Sequence, residues 1–161
     1  MKMVIFMKKI LVLSDSHRNN TPMTLAVQKE NPDMIIHLGD HIDDAAELSM
    51  QFPRIPMVAV PGNCDFSSEP GTRLLTIDGY RIFLCHGHQY HVKQSLLSLT
   101  YAAREKKADA VLFGHTHLIH CDYHNGLVIL NPGSIGFPNT SSYGLLFIDE
   151  NGLRTDTKTL K

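Results

Sequence analysis

The chain reads as short apolar runs alternating with longer amphipathic stretches. Residues 9–13 (KILVL) form a continuous β-branched and leucine run, the pattern of a strand buried on both faces. Thr21 is placed to cap a helix that begins at Pro22, carries Met23, Leu25, Ala26 and Val27, and closes at Asn31-Pro32. Residues 34–38 (MIIHL) predict a second strand, ending at Gly39-Asp40. A second helix follows from about 43 to 51, then a third strand over 56–60 (PMVAV). This β-turn-α-β rhythm implies right-handed crossovers and a largely parallel first sheet.

The second half has a different punctuation. Residues 73–77 and 80–84 flank Asp78-Gly79, a two-residue hairpin signal. A long helix is expected over 92–107, with Leu96, Leu97, Leu99 and Ala103 on its inner face. Strands follow at 110–113, 119–124, 128–130 and 143–148, the middle pair joined by Asn125-Gly126. The tail, 153–159, predicts an edge strand. Parallel βα units first and antiparallel strands later make an α/β chain of two sheets with helices outside.

A chain of 161 residues without repeat, linker or low-complexity run is expected to form one domain. At ~150 residues folding buries about 70% of the unfolded surface, so a core needs no disulfide framework. The three cysteines, Cys64, Cys85 and Cys121, are widely spaced and odd in number, unlike a secreted scaffold. With 15 basic and 16 acidic residues the net charge is -1, which argues against a large nucleic-acid or anionic-membrane surface. The start has neither the h-region nor the cleavage site of a signal peptide, and no run approaches a membrane span. A cytoplasmic protein is expected, with Met7 an alternative start and residues 1–6 a disordered extension.

Ten histidines occur in clusters, and histidine is the commonest metal ligand. Five apolar runs end in a polar segment: Asp15-Ser16-His17, Gly39-Asp40, Gly62-Asn63-Cys64-Asp65, His86-Gly87-His88 and Gly114-His115-Thr116-His117. Ligands of open α/β sheets bind beyond the carboxyl ends of strands, where such segments converge. A lone Asp-x-His or Gly-Asp is an ordinary turn. Five in order, each after a buried-type strand, point to one shared site. Asp, Asn and imidazole without thiolate suit Mn, Fe, Ni or Zn rather than a structural zinc. Seven candidate ligands, Asp15, His17, Asp40, Asn63, His86, His115 and His117, exceed one tetrahedral ion. They suggest two ions about 3.5–4 Å apart with a bridging carboxylate, as in phosphatases and nucleases.

This order of motifs resembles the calcineurin-like metallophosphoesterase superfamily, in particular its small one-domain phosphodiesterases from bacteria and archaea. The resemblance runs from Ile10 to about Ile148 and includes Asn131-Pro132-Gly133-Ser134. It implies a four-layer αββα sandwich, two mixed β-sheets flanked by helices. It also implies that Asp15, His17, Asp40 and His117 hold one ion, and Asp40, Asn63, His86 and His115 the other, with Asp40 bridging. Manganese is the first expectation, with nickel, zinc, iron and magnesium as alternatives. Such a pair lowers the pKa of a shared water, giving a hydroxide for in-line attack, and neutralises phosphoryl charge.

Many relatives carry Gly-Asn-His-Asp, whose histidine protonates the leaving group; here that position is Cys64. A thiol with a reference pKa of ~8.5 is a poor acid at neutral pH, so activated aryl diesters should be preferred. Cys64 as an acid and Cys64 as a packing residue stay open. Asp65 is expected to orient a neighbour, and His88 is a candidate for contact with the phosphate, that role staying open. His41 is a residue of the cleft wall in this reading, His37 a core residue and Arg18 a solvated one. His91, His120 and His124 are read as structural or exposed.

The expected substrate is a small phosphodiester, with no membrane partner, nucleic acid disfavoured and a homo-oligomer allowed by exposed edge strands. The rival is a scaffold that keeps metal ligands for protein–protein interaction, the role of one family relative in the retromer sorting complex. An amidohydrolase barrel needs ~250 residues, and a dehalogenase-type phosphatase needs an aspartate where His17 stands; both are excluded.

Overall fold

The computed structural model describes residues 7–160, so the proposed extension over 1–6 lies outside the described residues. Ten strands and three α-helices follow in the order β1 (Lys8–Leu13), α1 (Thr21–Glu30), β2 (Met34–His37), α2 (Ile42–Gln51), β3 (Met57–Ala59), β4 (Thr72–Ile77), β5 (Tyr80–Cys85), α3 (Leu97–Glu105), β6 (Ala110–Leu112), β7 (Ile119–His124), β8 (Leu127–Pro132), β9 (Ser142–Asp149) and β10 (Gly152–Thr159). They build two five-stranded sheets, β10-β9-β1-β2-β3 and β4-β5-β6-β8-β7.

Alternation along the strands sorts the apolar side chains into three layers. Ile10 and Val12 of β1 point inward with Ile82, Leu84 and Leu112, forming the core between the sheets. Leu11 and Leu13 point the other way, against Met23, Ala26 and Val27 of α1 and Leu48 of α2. On the far side Phe83 and Val111 pack against Leu99 and Ala103 of α3. The result is the expected αββα sandwich of mixed sheets. Truncating Leu11 to alanine would leave a cavity and cost about 2–5 kcal/mol.

The two hairpins expected from the sequence follow the turn chemistry: Asp78-Gly79 and Asn125-Gly126 have positive φ at both positions, 49° and 87°, 47° and 81°. Five features differ from the expectation, two of them simple: Leu97, placed on the inner face of α3, is 73% exposed, and the first sheet is half antiparallel through β9 and β10. Thr21 is the first helical residue, and Asn20 occupies the cap position without a side-chain cap bond. Residues 92–96 are not helical, because His91 turns left-handed at φ 52° and Val92 is drawn inward against Gly87. The second sheet is not mainly antiparallel: β5, β6 and β8 run parallel, with α3 as a crossover between β5 and β6. Among the described residues no helix is long and apolar enough to cross a membrane.

Candidate metal centre

The parallel strands β1, β2, β5 and β6 all deliver their carboxyl ends to one place. Asp15 and His17 follow β1, Asp40 follows β2, His86 follows β5, and His115 and His117 follow β6. Five of these six turn through the left-handed region, with φ 56° at Asp15, 47° at His17, 58° at Asp40, 70° at His115 and 62° at His117. Non-glycine residues pay about 1–2 kcal/mol each for that conformation, and such strain collects at functional sites. Close approach needs glycine at two points. A Cβ on Gly62 would lie 2.6 Å from the Asp40 nitrogen, and one on Gly114 2.8 Å from Asp15 Oδ2.

Ligand atoms of Asp15, His17, Asp40 and His117 all lie within 4.8 Å of one another. Asp15 Oδ1 is 3.1 Å from His117 Nε2 and 3.8 Å from both His17 Nε2 and His86 Nε2. Asp40 Oδ2 is 3.4 Å from His86 Nε2 and 4.0 Å from His17 Nε2. The Nε2 atoms of His17 and His117 face each other at 3.4 Å. Two imidazole nitrogens and a carboxylate oxygen at such spacing form a natural cation seat.

His115 joins through its ring, 5.0 Å from that of His86, and its backbone N–H donates to Asp15 Oδ2 at 3.2 Å. His88 sits beside both, its ring 5.6 Å from His86 and 6.2 Å from His115. Asn63 and Cys64 are exposed, and the Asn63 amide contacts Cys64 Sγ at 3.7 Å. His41 does line the cleft, with its ring 5.3 Å from that of His17. Arg18 is exposed and His37 is fully buried, as expected.

A buried polar frame holds these turns, and much of it was not singled out from the sequence. Asp65 accepts three backbone N–H groups, from His41 (2.8 Å), Ile42 (2.9 Å) and Gly62 (2.8 Å), fixing the loops of Asp40 and Asn63. Asp44, on the first turn of α2, accepts from Ser16 Oγ and from the Arg18 N–H, both at 2.7 Å. His37 Nδ1 accepts the Gly39 N–H (3.1 Å), so its Nε2 carries the proton toward Ser16 Oγ at 3.0 Å. Asn131 donates to the Gly114 carbonyl and to Thr116 Oγ1, while Ser134 Oγ donates to the Asp15 carbonyl at 2.8 Å. The Asn-Pro-Gly-Ser motif thus fastens the His115 turn to the Asp15 turn. Asp44 and Ser16 carry only a weak sequence signal, a polar side chain one turn from a ligand segment.

Charge in the cleft follows from burial and neighbours. Burial pushes the Asp40 carboxyl up, but the His86 imidazole and the Cys64 N–H (3.0 Å) hold it well below the usual carboxylate range. Burial pulls His86 down, but Asp40 and Asp15 outweigh it and raise its pKa. His115 is lowered by burial, then by His86 and Lys93; His88 is lowered by burial and by His86. Burial brings His37 down to about 4, so it is neutral. Burial and the Asp40 charge push the Cys64 thiol up.

One atom tests whether a metal belongs here. His86 Nδ1 donates to the Leu38 carbonyl at 2.8 Å, which fixes the tautomer and leaves Nε2 as the free nitrogen. That Nε2 is buried and has no hydrogen-bond partner. A buried imidazole held from behind by a carbonyl and pointed at two carboxylates is the arrangement of a metal ligand. The residues present fit divalent metal.

A family model described as the calcineurin-like phosphoesterase superfamily domain matches residues 7–151. The chain is 37% identical over 149 residues to "Probable metallophosphoesterase YsnB" of Bacillus subtilis, covering 88% of this chain and 85% of that protein. It is 33% identical over 104 residues to "Phosphodiesterase YfcE" of Escherichia coli, covering 56% of this chain and 52% of that protein. Vacuolar Protein Sorting 29 from Cryptosporidium parvum superposes with a TM-score of 0.75 over 97% of this chain and 99% of its own. Its 17% identity makes this a likeness of fold.

Proposed function

The chain belongs to the calcineurin-like phosphoesterase superfamily, and from that premise we propose that it is a one-domain, cytoplasmic phosphodiesterase requiring two divalent ions, manganese first among them. The observation that carries this reading is the convergence of Asp15, His17, Asp40 and His117 within 4.8 Å, with the unpartnered His86 Nε2 beside Asp40. Asp15, His17, Asp40 and His117 would hold one ion, and Asp40, Asn63, His86 and His115 would hold the other. Such ions supply Lewis acidity toward water and toward the phosphoryl oxygens.

The chain's own residues do the rest. Asp40, kept ionised by its surroundings, presents one oxygen toward His86 while the other accepts the Cys64 N–H. Asp65 and Asp44 keep the loops from drifting, and that pre-organisation is most of what a phosphoryl-transfer site must provide. His88, beside His86 and His115, meets a phosphate oxygen. Cys64, its thiol proton held tightly, contributes little to leaving-group departure. The substrate is a small diester with a good leaving group, in line with the relative named a phosphodiesterase.

The rival, a metal-holding scaffold, draws on the likeness of fold to a vacuolar protein sorting protein. The completeness of the ligand set favours catalysis, since a scaffold has no need to keep Asn63, His86 and both histidines of Gly-His-Thr-His together. Hydrolysis of bis-p-nitrophenyl phosphate and p-nitrophenyl phosphate by metal-stripped protein, with Mn²⁺, Ni²⁺, Zn²⁺ or Mg²⁺ restored separately, tests the reading. Metal-dependent cleavage of the diester above the monoester is expected. Folded protein inert with every metal would move the function to the scaffold.

A further inference from the structure

Against the His115 side of the cleft lies a second cavity of about 420 Å³, walled by Val92, Leu96, Phe113, Leu118 and Ile119, with Lys93 and His120 among its polar members. Its volume falls within the ~300–1,000 Å³ of small-molecule sites. Resting on the phosphoesterase reading above, we propose that this cavity receives a flat aromatic ester arm of the substrate while the phosphate occupies the metal centre.

Three observations join the cavity to the chemistry. Thr116, also on its wall, stands between the ligand candidates His115 and His117. Val92 packs against Gly87, the residue between His86 and His88, so the cavity shares a wall with both histidine turns. Lys93 stands on the wall of the same cavity, which brings a cation to the side of an anionic ester. The lining chooses the occupant. Phe113, only 1% exposed, closes the floor with its ring 6.4 Å from that of His120, and Leu118 and Ile119 remain 70% and 44% exposed, an apolar face left open beside a polar cleft. Aromatic rings prefer such tilted aromatic and aliphatic neighbours to water.

The test separates this subsite from the metal centre. Benzylphosphonate and ethylphosphonate carry the same anionic head, with carbon in place of the ester oxygen, and differ in the ring. Their affinities for the manganese-loaded protein are measured by calorimetry, in the wild type and in Leu118→Ser, an exposed position outside the ligand set. The wild type should bind benzylphosphonate about tenfold more tightly than ethylphosphonate, from apolar area buried in the cavity. Leu118→Ser should cut that preference to near twofold and leave ethylphosphonate affinity unchanged. Equal binding of the two by the wild type, or a preference intact in both Leu118→Ser and Ile119→Ser, overturns the subsite and leaves the phosphoesterase reading standing. Binding of neither phosphonate overturns the subsite alone where bis-p-nitrophenyl phosphate is still cleaved, and overturns that reading with it where it is not.

Discussion

His86 Nε2 lies 3.4 Å from Asp40 Oδ2, buried and without a hydrogen-bond partner, while its Nδ1 is committed to the Leu38 carbonyl. A polar atom left unpaired in a protein interior costs about 1–3 kcal/mol. The cost is offset when a cation takes the lone pair, so the metal-free protein should be the less stable form.

Adding Mn²⁺ to metal-stripped protein should therefore raise its melting temperature. At a hundredfold excess over the dissociation constant the gain is about 2.7 kcal/mol, or roughly 5–10 °C for a chain of this size. Asp40→Asn should lose most of that shift. A wild-type melting curve indifferent to metal contradicts the site.

The raised thiol of Cys64 predicts a steep dependence on leaving group. Bis-p-nitrophenyl phosphate should be cleaved faster than diethyl phosphate beyond the intrinsic difference in reactivity, because a missing general acid forgoes about 10²–10⁴-fold. Cys64→His should narrow the gap by raising alkyl turnover. Similar wild-type efficiencies for the two leaving groups, corrected for their uncatalysed rates, contradict this account.

Asp65 ties the Asp40 and Asn63 loops through three backbone bonds without facing the metal seat. Asp65→Asn should weaken metal affinity about 10–100-fold, the usual cost of losing a group that orients ligands. A metal titration that matches wild type would show that the loops hold without it.

Away from the cleft, Glu30 ends α1 and joins three strands: it accepts from Tyr143 Oη at 2.7 Å and Lys158 Nζ at 2.9 Å, and lies 3.4 Å from Lys9 Nζ. Burial pushes its carboxyl up, but Lys158, Tyr143 and Lys9 outweigh burial and lower it. A lowered carboxyl contributes stability that is full above its unfolded pKa of ~4.3 and fades as pH falls through the folded value. Glu30→Gln should cost about 1–3 kcal/mol at pH 7, and the two proteins should converge as the pH falls below about 4. A constant difference across that range in denaturant melts would contradict the assignment.

Much of this was legible in the sequence because the strand runs and the ligand segments reinforce each other. KILVL before Asp15 and MIIHL before Gly39-Asp40 announce both a buried strand and where it stops. The parallel pairing of β5 with β6 was less legible. Its crossover helix is only Leu97–Glu105, and the apolar residues at 92–96 that lengthened the expected helix instead pack inward behind His91. The supporting frame was harder still. Ser16, Asp44 and the Leu38 carbonyl act through bonds between segments more than 20 residues apart, and nothing local marks an Asp at a helix start as buried. The cavity beside His115 is equally a product of tertiary packing, assembled from a loop, a helix entry and an edge strand.

The central claim is a pair of ions working on a diester, and activity counted against metal tests it most directly. Metal-stripped protein is titrated with Mn²⁺ while turnover of bis-p-nitrophenyl phosphate is followed, with Asp40→Asn alongside. Turnover that climbs to a plateau at two equivalents per chain, absent in Asp40→Asn, is the predicted result. A plateau at one equivalent, or turnover unchanged in the variant, would contradict the paired-metal account.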